Sequence, residues 1–170
     1  SASVSNIGSV LNGTGQLNLS TSLALTDGTV SGWSSINVPQ LNVSGSSQLV
    51  NTAYLHNGAV EITSSGDKLA LSNTVMTTES TASMTGAGTL DLQTGANWVV
   101  NATPFTMPVA MTLDLNGGLL TNVERLVFPG IVNAYQIDFV ENGPIVIPSF
   151  TTFNYFMADN ISPGVQVVNN

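Results

Sequence analysis

The chain has no cysteine, which rules out disulfides, thiolate metal sites and a cysteine nucleophile. Cations are nearly as scarce: Lys68 and Arg125 face ten carboxylates, giving a net charge of −8 over 170 residues. Two cations cannot build the basic patch that neutralises phosphates, so nucleic acid is not expected as a partner. Anionic lipid is a poor match for the same reason. No stretch approaches the roughly 18 consecutive apolar residues of a spanning helix, and no membrane insertion is expected. The single histidine, His56, stands in YLHNG, which reads as a surface turn, with no second ligand for zinc and no context for a catalytic triad. The Gly-rich stretches at 13–15 and 86–88 lack the lysine and the strand-to-helix setting of a phosphate loop, so they read as corners.

What the chain does have is small polar residues. Ser, Thr and Asn make up about a third of it and 42% is apolar, but only 7% is charged, against roughly a quarter in ordinary soluble domains. One domain with a polar, mostly uncharged surface is implied. Such a composition suits an extracellular or cell-surface location. The opening SASVSNIGS has no charged start and no apolar run, so no signal peptide is expected within it. Asn12, Asn18, Asn42, Asn101 and Asn160 each begin an Asn-x-Ser/Thr sequon and are candidate glycosylation sites.

Apolar and polar residues alternate over short runs broken by Gly, Asn and Ser, which is a strand pattern. Candidate strands cover 16–20, 22–25, 35–38, 40–43, 59–63, 68–71, 89–93, 98–101, 112–116 and 136–140. The only helical hint is one turn in NVERL at 122–126. Apolar-polar-apolar triplets begin at Leu17, Leu41, Val60, Leu90, Leu113 and Ile137, at intervals of 24, 19, 30, 23 and 24 residues. A period in the low twenties suits one coil of a β-solenoid (a parallel β-helix), in which each coil buries its apolar side chains against the next.

The segment GTLDLQTGANW at 88–98 resembles the degenerate repeats of right-handed parallel β-helices in bacterial surface adhesins and autotransporter passenger domains. The likeness extends over roughly residues 10–120 and implies a repeat fold without implying catalytic residues. An antiparallel β-sandwich is the competing all-β architecture, since it too needs short strands and frequent turns. On the solenoid reading, residues 1–126 form the repeats, and residues 1–10 are a candidate donated strand. Residues 127–170 hold five of the six phenylalanines, Phe128, Phe139, Phe150, Phe153 and Phe156, and form an aromatic-rich C-terminal cap or subunit-contact segment.

Strand alternation turns the middle residue of each triplet outward. Stacked coils would then carry Asn18, Asn42, Glu61, Asp91, Asp114 and Asp138 in one external file facing water. Oxygen-rich surfaces suit Ca²⁺, which makes Asp91, Asp114 and Asp138 candidate calcium ligands, with no other cofactor expected. Paired acids also occur in polysaccharide-degrading β-helices, but no catalytic residue is assigned. The expectation is a non-enzymatic extracellular structural or adhesive protein that forms a stalk or self-assembles as a homo-oligomer or fibre. A glycan or other cell-surface ligand is a candidate partner, and a carbohydrate-binding or polysaccharide-degrading protein is the alternative.

Overall fold

The computed structural model describes residues 3–102, 104–122, 125–127, 129–140, 145–147, 152–155, 160–161 and 167–169. Successive short strands wind into stacked turns. The first turn is β1 (Val4–Ile7), β2 (Val10–Asn12) and β3 (Gln16–Asn18). The second is β4 (Ser22–Thr26), β5 (Thr29–Ser31) and β6 (Ser35–Asn37). The third is β7 (Gln40–Ser44), β8 (Ser46–Val50) and β9 (Ala53–His56). β10 (Ala59–Ile62), β11 (Lys68–Ser72) and β12 (Val75–Thr78) make the fourth. β13 (Ser83–Gly86), β14 (Thr89–Gln93) and β15 (Asn97–Val100) make the fifth. Next come β16 (Phe105–Thr106) with the long β17 (Thr112–Thr121), then β18 (Leu126–Val127) with the long β19 (Ile131–Val140). β20 (Ile145–Ile147), β21 (Thr152–Tyr155), β22 (Asn160–Ile161) and β23 (Val167–Asn169) complete the described strands.

Three sheet faces result. The first is β1-β4-β7-β10-β13; the second is β2-β5-β8-β11-β14 and the first half of β17; the third is β3-β6-β9-β12-β15 and the second half of β17. Every described pairing is parallel, with like residues in register, as in Leu23↔Leu41, Leu69↔Leu90 and Met76↔Trp98. The chain is therefore a parallel β-solenoid, and the antiparallel sandwich is excluded. One further expectation is corrected, and the pairing beyond residue 126 adds to the picture. β1 and β2 pair with β4 and β5 of their own chain, so the opening residues build a first turn instead of a donated strand. β19 pairs with β17, β21 and β22, so the stack runs on past residue 126. Phe128, Phe150 and Phe156 of the expected cap lie outside the described residues. Of the helical hint, Val123 and Glu124 also lie outside them, and Arg125 N–H donates to the Asn122 carbonyl at 3.1 Å in a single turn.

The corners explain why so short a repeat can close. Between the first and second faces Gly8, Asp27 and Gly45 have φ of 57°, 53° and 62°; between the second and third, Gly32, Asn51, Asn73 and Gly95 have φ of 77°, 51°, 46° and 77°. This left-handed conformation is open to Gly at no steric cost and to Asn and Asp more readily than to other residues. At these seven corners one such residue turns the chain sharply enough for the next strand to start a new face.

Inside, the core is a set of vertical files: Leu23, Leu41 and Val60 on the first face, Val30, Leu49, Leu71, Leu92 and Leu115 on the second, and Ile36, Tyr54, Met76, Trp98 and Leu120 on the third, each at most 1% exposed. Each buried aliphatic side chain contributes about 1.5–3 kcal/mol. The files make the turns mutually dependent, because each layer covers the one beneath it.

Candidate functional site

Two of the acids that sequence reading singled out, Asp91 and Asp114, meet on the outward side of the second face. β11, β14 and β17 set Ala70, Asp91 and Asp114 in direct register, and β19 and β21 continue the file with Asn133 and Asn154. Lys68 Nζ lies 3.3 Å from Asp91 Oδ2 and 3.9 Å from Asp114 Oδ2. Gln93 Nε2 donates to Asp91 Oδ2 at 3.0 Å and Asn116 Nδ2 to Asp91 Oδ1 at 2.6 Å. Asn133 Nδ2 donates to Asp114 Oδ1 at 2.8 Å, and Asn154 Nδ2 donates to Asn133 Oδ1 at 2.8 Å. The outcome is a polar ladder along the stack axis. It relieves the repulsion that two carboxylates about 4.8 Å apart would otherwise suffer.

The six acids and amides expected in one file are instead spread over three faces. Asn18 lies in β3, Asn42 and Glu61 are partners in β7 and β10, Asp91 and Asp114 are partners in β14 and β17, and Asp138 lies in the second half of β19 opposite Leu119 and Asn160. The physical reason is that such triplets occur on all three faces, so spacing alone does not say which face a triplet occupies. The expected calcium trio Asp91, Asp114 and Asp138 is thus not assembled: only the first two meet, with an ammonium between them. Among the described residues no group of three or more His, Asp or Glu side chains could hold a metal ion.

Asp91 itself departs from expectation. Its side chain points away from the core, as alternation requires, yet Asp91 is only 2% exposed. Lys68, Gln93, Asn116 and Asp114 close over it. Except for Gln93 on the same strand, these side chains come from the turns above and below, a distance in sequence that no local pattern reveals.

Of the sequon asparagines, Asn12, Asn18 and Asn101 are exposed and Asn42 is half-buried. Asn101 Nδ2 donates to Glu79 Oε1 at 3.0 Å, and Asn42 Oδ1 accepts from Gln40 Nε2 at 2.8 Å. The side chain of Asn160 lies outside the described residues. At the first corner Asp67 caps two turns, taking Gly45 N–H at 2.8 Å on Oδ1 and Ser64 N–H at 2.7 Å on Oδ2. Those backbone donors, with a smaller side-chain contribution from Ser64, hold its carboxyl below the usual range.

His56 is not on a surface turn. It ends β9 fully buried, because in Ala-Tyr-Leu-His strand parity puts it on the same inward side as Tyr54. Its Nε2 lies 2.9 Å from the Ser83 carbonyl and its Nδ1 3.0 Å from Thr78 Oγ1, while Trp98 Nε1 donates to the same hydroxyl at 2.7 Å. Tyr54 stacks on the ring at 6.0 Å and Phe105 meets it edge-on at 5.7 Å. The partners Thr78, Trp98, Tyr54 and Phe105 are all internal. Sequence reading missed it because Thr78 and Trp98 come from the two following turns.

No family model matches the chain, and no curated protein or solved structure matches it. Among the described residues no helix is long and apolar enough to cross a membrane.

Proposed function

We propose that the chain is a non-enzymatic structural or adhesive module of an extracellular surface, whose stacked turns serve as a stalk or as a unit of a self-assembling fibre. The observation that carries this reading is the way the outward polar groups are spent. Asp91, Asp114, Asn116, Asn133 and Asn154 bond to one another along the stack instead of converging on a cleft. Thr26 and Ser44 do the same on the first face, with hydroxyl oxygens 2.8 Å apart. A surface organised in this way stiffens a rod. The first turn adds a contact edge: β1, β2 and β3 pair on one side only, and Ile7 and Val10 are 70% and 65% exposed. Unpaired parallel strands flanked by apolar residues are completed by further strands, whether of the same polypeptide or of a neighbour.

Negative-stain microscopy and sedimentation over a range of concentrations test the proposal. Elongated particles or concentration-dependent polymers are expected, and a compact, strictly monomeric particle that binds no surface or glycan overturns it. The alternative, a carbohydrate-binding or polysaccharide-degrading protein, draws on one observation, the register pairing of Asp91 with Asp114. Polysaccharide turnover lost in Asp91→Asn and Asp114→Asn would favour it, as would a positive glycan array.

A further inference from the structure

His56 and Thr78 are register partners in successive turns, Trp98 reaches Thr78 from the turn after, where it pairs with Met76, and the hydrogen bonds of the three form a closed set. The donor and acceptor roles follow by elimination. The Ser83 carbonyl only accepts, so Nε2 of His56 carries a proton; Trp98 Nε1 only donates, so Thr78 Oγ1 accepts from it and turns its own hydrogen to Nδ1 of His56. That arrangement needs a neutral imidazole. A second ring proton would oblige Thr78 Oγ1 to accept from both rings and leave its hydroxyl hydrogen without a partner, in a place where His56, Thr78 and Trp98 are all 0% exposed.

We propose that this buried relay is an acid-operated latch: uptake of one proton by His56 breaks the Thr78 bridge and opens the adjoining corner, making Trp98 accessible to solvent while the flanking turns stay stacked. The way out is short. His56 is followed by Asn57 and Gly58, and the facing corner at 79–82 is held by Glu79 N–H to the His56 carbonyl at 2.9 Å, Ala82 N–H to the Glu79 carbonyl at 3.0 Å, Thr81 Oγ1 to the Asn57 carbonyl at 2.7 Å, Ser83 N–H to the Gly58 carbonyl at 2.9 Å and Asn101 Nδ2 to Glu79 Oε1 at 3.0 Å. Ser80 and Thr81 are exposed. Repeat stacks open locally at such sites.

The surroundings leave the ring to titrate on its own. Tyr54, on the same strand, is held neutral by burial, which raises its hydroxyl pKa. From β12 the ring meets the uncharged Thr78, which Trp98 of β15 holds in turn, from β13 the Ser83 carbonyl, and from β16 Phe105. The nearest carboxylate in sequence to Thr78, Glu79, is engaged by Asn101. Among the described residues no ion pair joins a charged side chain to the imidazole. Burial lowers the His56 pKa to about 4 from an ordinary 6.5, although the Ser83 and Gly58 carbonyls partly support the protonated form.

The test follows Trp98 in a Trp33→Phe background, where it is the sole tryptophan. Acrylamide quenching is expected to rise several-fold as pH falls toward 4, and this rise is expected to vanish when His56→Gln, which keeps a donor and an acceptor but does not titrate, is added. An equal rise in both proteins overturns the latch and assigns the change to carboxylates. Independently of any variant, the sole imidazole of the chain can be followed by NMR in the unaltered protein. A neutral Nε2–H tautomer at pH 7 with titration displaced to about 4 supports the latch, whereas ordinary titration near 6.5 overturns it.

Discussion

At the end of β9 the imidazole of His56 exchanges hydration for two hydrogen bonds, and the exchange has a pH signature. Its folded-state pKa of about 4 lies below the ordinary 6.5, so between these values the unfolded chain binds the extra proton. The contribution of His56 is therefore fully present above pH 6.5 and is lost as pH falls through 4, for a total on the order of 3 kcal/mol. Urea midpoints measured at pH 7 and 4.5 should fall more in the unaltered protein than in His56→Gln. Tyr54 presents the opposite case: its hydroxyl is buried with no hydrogen-bond partner. Removing an unsatisfied polar group relieves its desolvation, so Tyr54→Phe is expected to raise stability by about 1 kcal/mol; a loss on denaturation would show that the hydroxyl is satisfied. Asp91 differs from both, since three donors, Lys68, Gln93 and Asn116, are aimed at its charge. Asp91→Ala should cost about 2–3 kcal/mol, with half-exposed Lys68 sharing less of the penalty than a buried cation would. None of these three roles was legible beforehand. The tyrosine, the histidine and the aspartate were all visible, but much of what closes over the histidine and the aspartate comes from other turns.

Strands and corners were legible to different degrees. All ten expected strands are present, and the one at 89–93 matches β14 residue for residue. Those with two apolar residues flanking a polar one were found; the missed ones, such as Thr29–Ser31 and Ser83–Gly86, are too short for alternation to rise above the Ser and Thr background. The grouping of strands into faces failed for the triplets, because repeats on neighbouring faces look alike. Corners were anticipated as Gly, Ser and Asn clusters, but the left-handed residue on which each depends needs coordinates to find. Gly45 tests that dependence. With φ of 62° and the Asp27 carboxylate where a Cβ would stand, Gly45→Ala forces an unfavourable backbone and displaces a carboxylate that accepts Ser46 N–H at 2.8 Å. About 2–3 kcal/mol should be lost. Gly15→Ala, with open space around it, should change thermal stability by less than about 0.5 kcal/mol. Equal effects in the two variants would mean that corner conformation does not limit the fold.

Across the whole molecule, an all-β parallel stack was readable from the low-twenties period, which the triplet at Ile137 carries past residue 126, while the aromatic and proline residues there mask the rest of the repeat. The stack should unravel unevenly. β1, β2 and β3 have partners on one side and a half-buried lining of Val4, Leu11 and Leu17, whereas β7 to β12 are paired on both sides. Hydrogen exchange is therefore expected to be slowest in the third to fifth turns and fastest in the first; uniform protection would argue for a single cooperative unit. Charge acts at this scale too. With −8 on each copy, association of like molecules is opposed at low ionic strength, so sedimentation should detect more assembly as salt is added.

The path from β10 to β11 makes an excursion through residues 63–67, whereas at the equivalent corner between β7 and β8 Gly45 alone suffices. The strands on either side keep their register, Val60 with Leu41 and Leu71 with Leu49. Contour length and axial rise are thus uncoupled at this corner, and a foreign peptide grafted between Ser65 and Gly66 would be displayed from the rod without disturbing the layers that carry it.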